Sequence, residues 1–275
     1  MILVTAATGQ YGRLVMDALL QKVAPKDLAV AVRHPEKARE WRMRGVSVRQ
    51  ADYDDLSSLH AAFEGADDLL FISSPEFEIP TRMAQHERVI EGAKRGKVRH
   101  VAYTSFLGAQ HEQRGGFNAH YLTERALETS GLTTTFLRHP FYTDSLVNPA
   151  LVQDVVAAGE LKDASGGKAV NSASRADLAA AAAAFLTGAG EKGKPVELTG
   201  TPWTFSQLAE AIGRATGRSI SITKIASSDA GPRGWLFDLI AAGLYERETP
   251  DLARLLGRQP TRLNDFVAKL LPSAS

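Results

Sequence analysis

The 275-residue chain contains no cysteine. That excludes disulfides, thiolate nucleophiles and Cys-based metal sites together. It also lacks any excess of charge: 32 Lys and Arg stand against 31 Asp and Glu, for a formal net charge of +1. No global field therefore recruits nucleic acid or an anionic membrane surface. No apolar run approaches the roughly 20 residues of a membrane-spanning helix. The opening stretch MILVTAATG has neither a basic n-region nor a long apolar h-region. These absences predict a cytoplasmic protein with no nucleic-acid or membrane partner. The seven histidines form no His-x-x-x-His or Glu-flanked pair, so no metal site is expected. The P-loop pattern and the serine nucleophile elbow are missing too.

What is present is an ordinary globular composition, with 44% hydrophobic and 23% charged residues. The length suits one large domain, or one with a smaller partner. Short β-rich runs alternate with helical patterns. ILVT (2–5) precedes a helix in which Leu14, Val15, Ala18, Leu19 and Val23 keep a helical period. LAVAVR (28–33), VSVRQ (46–50), DLLFIS (68–73), HVAYTS (100–105) and TTTFLR (133–138) read as further strands. Helices are expected from about Pro35, around Leu56 to Phe63, near 80–95 and near 119–130. Alternation with short links and strands apolar along most of their length predict an α/β fold: a doubly wound parallel (Rossmann) sheet. Residues 139–174 read as irregular, with a return strand near 168–171, and the alanine run 179–184 as a helix close against the sheet. From about Pro195 come VELTG, a capped helix TFSQLAEAIGRATG, a strand SISIT and further helices. The expected division is 1–186 for the Rossmann domain, with 139–174 contributing to its cleft, and 187–275 for a smaller, mainly helical domain.

The stretch VTAATGQYG (4–12) sits in the first strand-to-helix turn. Glycines there permit a tight turn and close approach of backbone to phosphate, and the helix start offers N–H groups. Thr8, Gly9, Gln10 and Tyr11 lie where those donors belong, with Gly12 following. Position 6 is Ala where a first glycine is expected, which is harmless if its φ is negative. A fold selecting NAD carries Asp or Glu after the second strand to hold the ribose hydroxyls. This chain instead has AVRHPEK, with Arg33 there and Lys37 one helical turn on. Guanidinium and ammonium attract a 2′-phosphate, so the cofactor expected is NADPH. Asp52 and Tyr53, past the third strand, are placed to edge the adenine.

In order, TAATGQYG, AVRHPEKA, VRQADYDD, LLFISS, VAYTS, LRHPFYTD and VNSASRADLAAAAA resemble the NmrA-like branch of atypical short-chain dehydrogenases/reductases. Within that branch the pattern is nearest to bacterial triphenylmethane reductases and type 2 NADPH:quinone oxidoreductases. The likeness runs from Met1 to about Thr223. It implies a Rossmann domain binding NADPH, a small C-terminal substrate domain, and hydride transfer between them. By position it implies phosphate contacts at Thr8 to Gly12 and a 2′-phosphate contact at Arg33. Ser73 and Ser74 would pass the middle of the cofactor, and Thr104 and Ser105 its nicotinamide side. His139, Pro140, Phe141, Tyr142 and Thr143 would line the nicotinamide end, with Arg175 beyond. The departures are Ala6 and a shortened stretch between Lys224 and Tyr245.

Typical short-chain dehydrogenases place Tyr-x-x-x-Lys on the helix after the fifth strand. Here Tyr121 and Arg125 stand at that spacing, with His120 beside them. All three are candidate catalytic residues, though Tyr121 reads more readily as a packed aromatic, and Tyr142 equally as a substrate-facing or a core ring. Reduction of a quinone or dye needs no strong enzyme acid, because the acceptor's π-system takes the electrons. The expected activity is an oxidoreductase passing hydride from NADPH to a conjugated small molecule. The alternative is a non-catalytic NADP(H)-sensing regulator acting through a protein partner. A homodimer is compatible with the sequence.

Overall fold

The computed structural model describes residues 1–113 and 115–271. Six strands enter the main sheet in succession: β1 (Ile2–Thr5), β2 (Leu28–Val32), β3 (Ser47–Gln50), β4 (Asp68–Phe71), β5 (His100–Phe106) and β6 (Thr133–His139). The chain continues through β7 (Phe141–Tyr142), β8 (Glu160–Asp163) and β9 (Ser172–Ala173), then β10 (Val196–Glu197) and β11 (Ser221–Lys224). Strands β1 to β6 and β10 form one seven-stranded sheet in the order β10-β6-β5-β4-β1-β2-β3, every pairing parallel. Ile2 pairs with both Leu28 and Asp68, so β1 marks the point where the strand order reverses. Clefts beyond the carboxyl ends of strands at such a reversal are where α/β sheets take ligands.

The helices between these strands are α1 (Gln10–Leu19), α2 (Arg39–Met43), α3 (Leu56–Phe63), α4 (Ile79–Arg95) and α5 (Asn118–Glu128). Their apolar faces bury Leu59, Phe63, Val89 and Leu127 with Leu3, Leu69, Phe71 and Val101 of the sheet in one core. Gly92 is required inside α4, because a Cβ there would stand 2.9 Å from the Leu59 side chain of α3. Later come α6 (Thr143–Leu146), α7 (Pro149–Ala158), α8 (Arg175–Ala184), α9 (Phe205–Thr216), α10 (Gly234–Ala241), α11 (Asp251–Leu256) and α12 (Leu263–Leu270). The alanine run falls in α8, where Ala179 and Ala181 to Ala184 are buried.

The chain divides into two compact units, Met1–His139 with Leu178–Glu197, and Pro140–Asp177 with the residues from Leu198 onward. The expectation of one boundary near 187 differs from this pattern because the chain leaves and re-enters: Val196 pairs with Leu137, returning it to the main sheet. In the second unit, β8 pairs parallel with β11 and β7 with β9. The return strand expected near 168–171 is instead a single antiparallel bridge, Val170 to Trp203, with the pairing displaced to β9. A capping box between Thr204 and Gln207 starts α9, as the sequence indicated. Among the described residues, no helix is long and apolar enough to cross a membrane.

Candidate nucleotide-binding site

A groove of about 340 Å³ opens in the first unit where β1, β2 and β3 end, lined by Ala6, Thr8, Gly9, Arg33, His34, Lys37, Asp52, Tyr53 and Ser74 among others. The β1–α1 turn shapes its floor. Ala6 donates its N–H to Ala31 O at 3.1 Å, and its own carbonyl accepts the N–H of Gly9 at 3.0 Å. Gly9 is the extended N-cap of α1, with no side-chain cap and no acidic residue in the first turn. The positive end of that helix is therefore left open to an anion. Gly12 serves packing: a Cβ there would lie 2.7 Å from both Ala6 O and Ala7 Cα.

Two readings of this turn need correction. The φ of Ala6 is +47°, not negative. The turn needs a left-handed residue directly after β1 so that the Ala6 carbonyl can meet the Gly9 amide. Gly9, counted as a donor, has its N–H committed to that carbonyl, so its contribution is the lack of a side chain. An L-residue in the left-handed region costs roughly 1–2 kcal/mol, and a glycine there loses roughly 0.4–1 kcal/mol through unfolded-chain entropy. Ala6→Gly should therefore raise stability by about 0.5–1 kcal/mol, read as a higher urea midpoint. A lower midpoint would contradict the left-handed turn.

Arg33 and Lys37 face the groove, and neither pairs with a carboxylate among the described residues. Of the acids beside them on the chain, Glu40 is held by Arg13, whose guanidinium lies 5.3 Å from the Trp41 ring centroid, and Glu36 lies 3.4 Å from His34. Two cations are thus left at the end of β2. Tyr53 presents its ring to the groove while its hydroxyl is tied inward, 2.6 Å from Ile72 O and 2.6 Å from Thr5 Oγ1. Burial pushes its phenol pKa up, so it is a neutral wall.

Behind the groove, hydroxyl and imidazole groups hold the loop after β4. Ser73 donates its N–H to Thr104 Oγ1 at 2.9 Å, and Ser74 donates its N–H to His86 Nε2 at 3.0 Å. An imidazole nitrogen that accepts carries no proton, so Nδ1 of His86 is the protonated one and donates to Thr123 Oγ1 at 2.7 Å. The same logic fixes His120. Arg82 donates to its Nε2 at 2.9 Å, which leaves Nδ1–H for the Tyr103 hydroxyl at 2.9 Å. Burial, reinforced by the Arg82 charge, holds both imidazoles well below the usual pKa.

The structure brings Thr8, Gly9, Arg33, Lys37, Asp52, Tyr53 and Ser74 into one groove and sets the other candidates elsewhere. Gln10 is exposed at the start of α1. Tyr11 turns inward, its hydroxyl donating to Leu178 O at 3.3 Å and its ring 5.1 Å from that of His139. His139 is buried, which lowers its pKa to about 3. Ser105 donates to Glu124 Oε1 at 2.6 Å, so its hydroxyl points toward α5. In the second unit, Pro140 is buried, Phe141 packs 4.9 Å from the Tyr245 ring, and Thr143 meets Ser172 Oγ at 2.8 Å. Arg175 lies over the Tyr142 ring at 4.7 Å and donates to Ser145 Oγ at 2.7 Å.

The Tyr-x-x-x-Lys reading meets a helix turned by one residue. The buried face of α5 carries Ala119, His120, Thr123, Glu124 and Leu127. Tyr121 and Arg125 are therefore half-buried on its flank, the guanidinium 5.6 Å from the Tyr121 ring centroid and 2.6 Å from Glu128. Reading the apolar phase through Ala119 and Leu127 exposes that offset. Sequence reasoning also missed Gln85 and Glu76 in the groove wall, and His86 behind it. The Arg82-x-x-x-His86 spacing on one helix face was the available signal.

A parallel sheet with a groove at its reversal point, an open helix start and paired cations defines a Rossmann-type dinucleotide-binding protein. The model of an NAD(P)H-binding family matches residues 6–188. Quinone oxidoreductase 2 of Escherichia coli is 35% identical, over 98% of this chain and 98% of that protein. The Citrobacter sp. triphenylmethane reductase complexed with NADP(H) superposes with a TM-score of 0.93 at 34% identity, covering 98% of this chain and 100% of that one. The E. coli NADPH-dependent quinone oxidoreductase complexed with NADPH gives a TM-score of 0.88 at 35% identity, over 98% and 99% of the two chains. The chain belongs to this NAD(P)H-binding family, in its NmrA-like group of atypical short-chain dehydrogenases/reductases.

Proposed function

We propose that this protein is a cytoplasmic NADPH-dependent reductase of small conjugated acceptors such as quinones and triphenylmethane dyes. The observation that carries the cofactor half is the pair of cations, Arg33 and Lys37, without a carboxylate partner among the described residues, at the rim of the groove whose floor is the Ala6–Gly9 turn. The residues fit the group: the turn leaves room for phosphate, the α1 start favours its charge, and a 2′-phosphate meets guanidinium and ammonium. Thr8, Gly9 and the first turn of α1 would hold the pyrophosphate, with the Tyr53 ring and Asp52 beside the adenine. Bound NADPH supplies a hydride.

The acceptor half rests on the relatives' named activities and on what the buried groups leave undone. Tyr53 and Tyr103 are neutral phenols pushed up by burial, and His86, His120 and His139 are neutral imidazoles whose protonation burial opposes. None is a ready proton source near neutrality. An acceptor whose reduced form takes its proton from water suits such a chain. Following NADPH oxidation by absorbance across quinones and cationic dyes tests the reading, and no turnover with any of them would overturn it. Tyr121→Phe should keep kcat within about tenfold with an accepted substrate, since a true general acid contributes about 10²–10⁴-fold.

A further inference from the structure

The second unit holds a cavity of about 380 Å³, large enough for a small organic molecule, and every residue lining it belongs to that unit. Its floor is three buried polar side chains from separate parts of the chain: Thr143 at the start of α6, Ser172 at the start of β9, and Trp203. The Trp203 indole donates to Ser172 Oγ at 2.7 Å, and Ser172 Oγ lies 2.8 Å from Thr143 Oγ1. An indole N–H and two hydroxyls bring three hydrogens to two contacts. Whichever hydroxyl donates to the other, one O–H has no acceptor among the described residues. A buried donor without a partner costs stability unless something in the cavity accepts from it.

The rim supplies charge of one sign in excess. Glu210 is held by Arg214 at 3.2 Å along α9. Arg262, the N-cap of α12, also lines the cavity and pairs with no carboxylate among the described residues. Its position is fixed from the preceding segment. Asp177 accepts the Thr261 N–H at 2.7 Å and the Arg258 guanidinium at 2.6 Å, while α12 packs on α9. A donor-rich floor beneath a cationic rim suits an oxyanion with a second acceptor oxygen.

We propose that this cavity is a second ligand site, separate in its residues from the nucleotide groove, which takes a small organic anion. The carboxylate or phosphate sits at Arg262 and Arg214, and a carbonyl oxygen accepts from the Thr143–Ser172 floor. The site goes beyond the reductase reading and does not depend on it.

The test uses the full chain labelled with nitrogen-15, with and without NADPH, titrated with 2-oxoglutarate and separately with inorganic phosphate. Potassium chloride at matched ionic strength is the control. The Trp203 indole resonance should move and saturate with a Kd of about 1 mM or tighter, while that of Trp41, buried in the first unit, stays still. Both probes acting would assign the site to oxyanions in general, and 2-oxoglutarate alone to carboxylates with an added acceptor. Arg262→Gln, at an exposed position, should weaken binding about tenfold or more. A Trp203 resonance unmoved by either probe, moved equally by chloride, or titrating unchanged in Arg262→Gln would overturn the proposal.

Discussion

Acidification from pH about 7.5 to about 5 should remove about 2 kcal/mol of folding stability through His139 alone, and His86 and His120 add to the loss in the same direction. The cause is three buried histidines. His86 accepts from Ser74, His120 accepts from Arg82, and His139 is enclosed beside Tyr11, so none gains a second proton without losing its surroundings. Burial lowers all three, for His139 to about 3. The unfolded chain titrates them near the ordinary value of about 6.5. Above that pH neither state is protonated and they contribute no slope. Below it the unfolded state binds protons that the folded state refuses, so stability falls as pH falls. His139 contributes about 1.4 kcal/mol per pH unit over a window that reaches down to about 3. Urea midpoints measured from pH about 7.5 to 5 check this. A flat profile, or imidazolium signals from these residues in the folded protein near pH 6, would contradict it.

The second large effect should come from the buried ion pair between α5 and β6. Glu124 is fully buried and accepts from Arg138 Nε at 3.0 Å and Nη2 at 2.7 Å, besides the Ser105 hydroxyl. Glu197 of β10 is a looser partner at 3.5 Å. Removing one member of such a pair strands a charge in the core and costs about 3–5 kcal/mol. Glu124→Leu should fall at the low end, since Arg138 retains Glu197. Arg138→Leu should cost more, because it removes both hydrogen bonds to the fully buried Glu124, whose next cation, Arg125, stands 4.0 Å away. The double variant should be less destabilised than the sum of the singles by at least about 1 kcal/mol. Additive urea midpoints would show that the contact contributes little.

How far such features were legible depends on whether they are local. Strands β1 to β6 announce themselves because each is an apolar run in a strand–helix alternation, and their edges fall within two residues of expectation. The two-residue strands β7 and β9 have no period to read. The β8–β11 pairing joins Glu160 to Ser221 across 61 residues, a separation no local pattern reports. Arg33 and Lys37 were legible because position after β2 settles their place. The left-handed φ of Ala6 was not, since alanine is uncommon there and the demand comes from the Gly9 amide. On α5 a spacing of four fits Tyr121 and Arg125 as well as His120 and Glu124. Only the buried positions separate the two pairs.

The central claim, a groove that selects NADPH through Arg33 and Lys37, is tested most directly by titrating NADPH and NADH into wild type and Arg33→Ala. A charge-assisted contact to phosphate contributes about 1.5–3 kcal/mol, so NADPH should bind wild type at least tenfold more tightly than NADH. Arg33→Ala should lose most of that preference by weakening NADPH alone. Equal affinity of wild type for the two nucleotides, or a preference untouched by the substitution, would contradict the account.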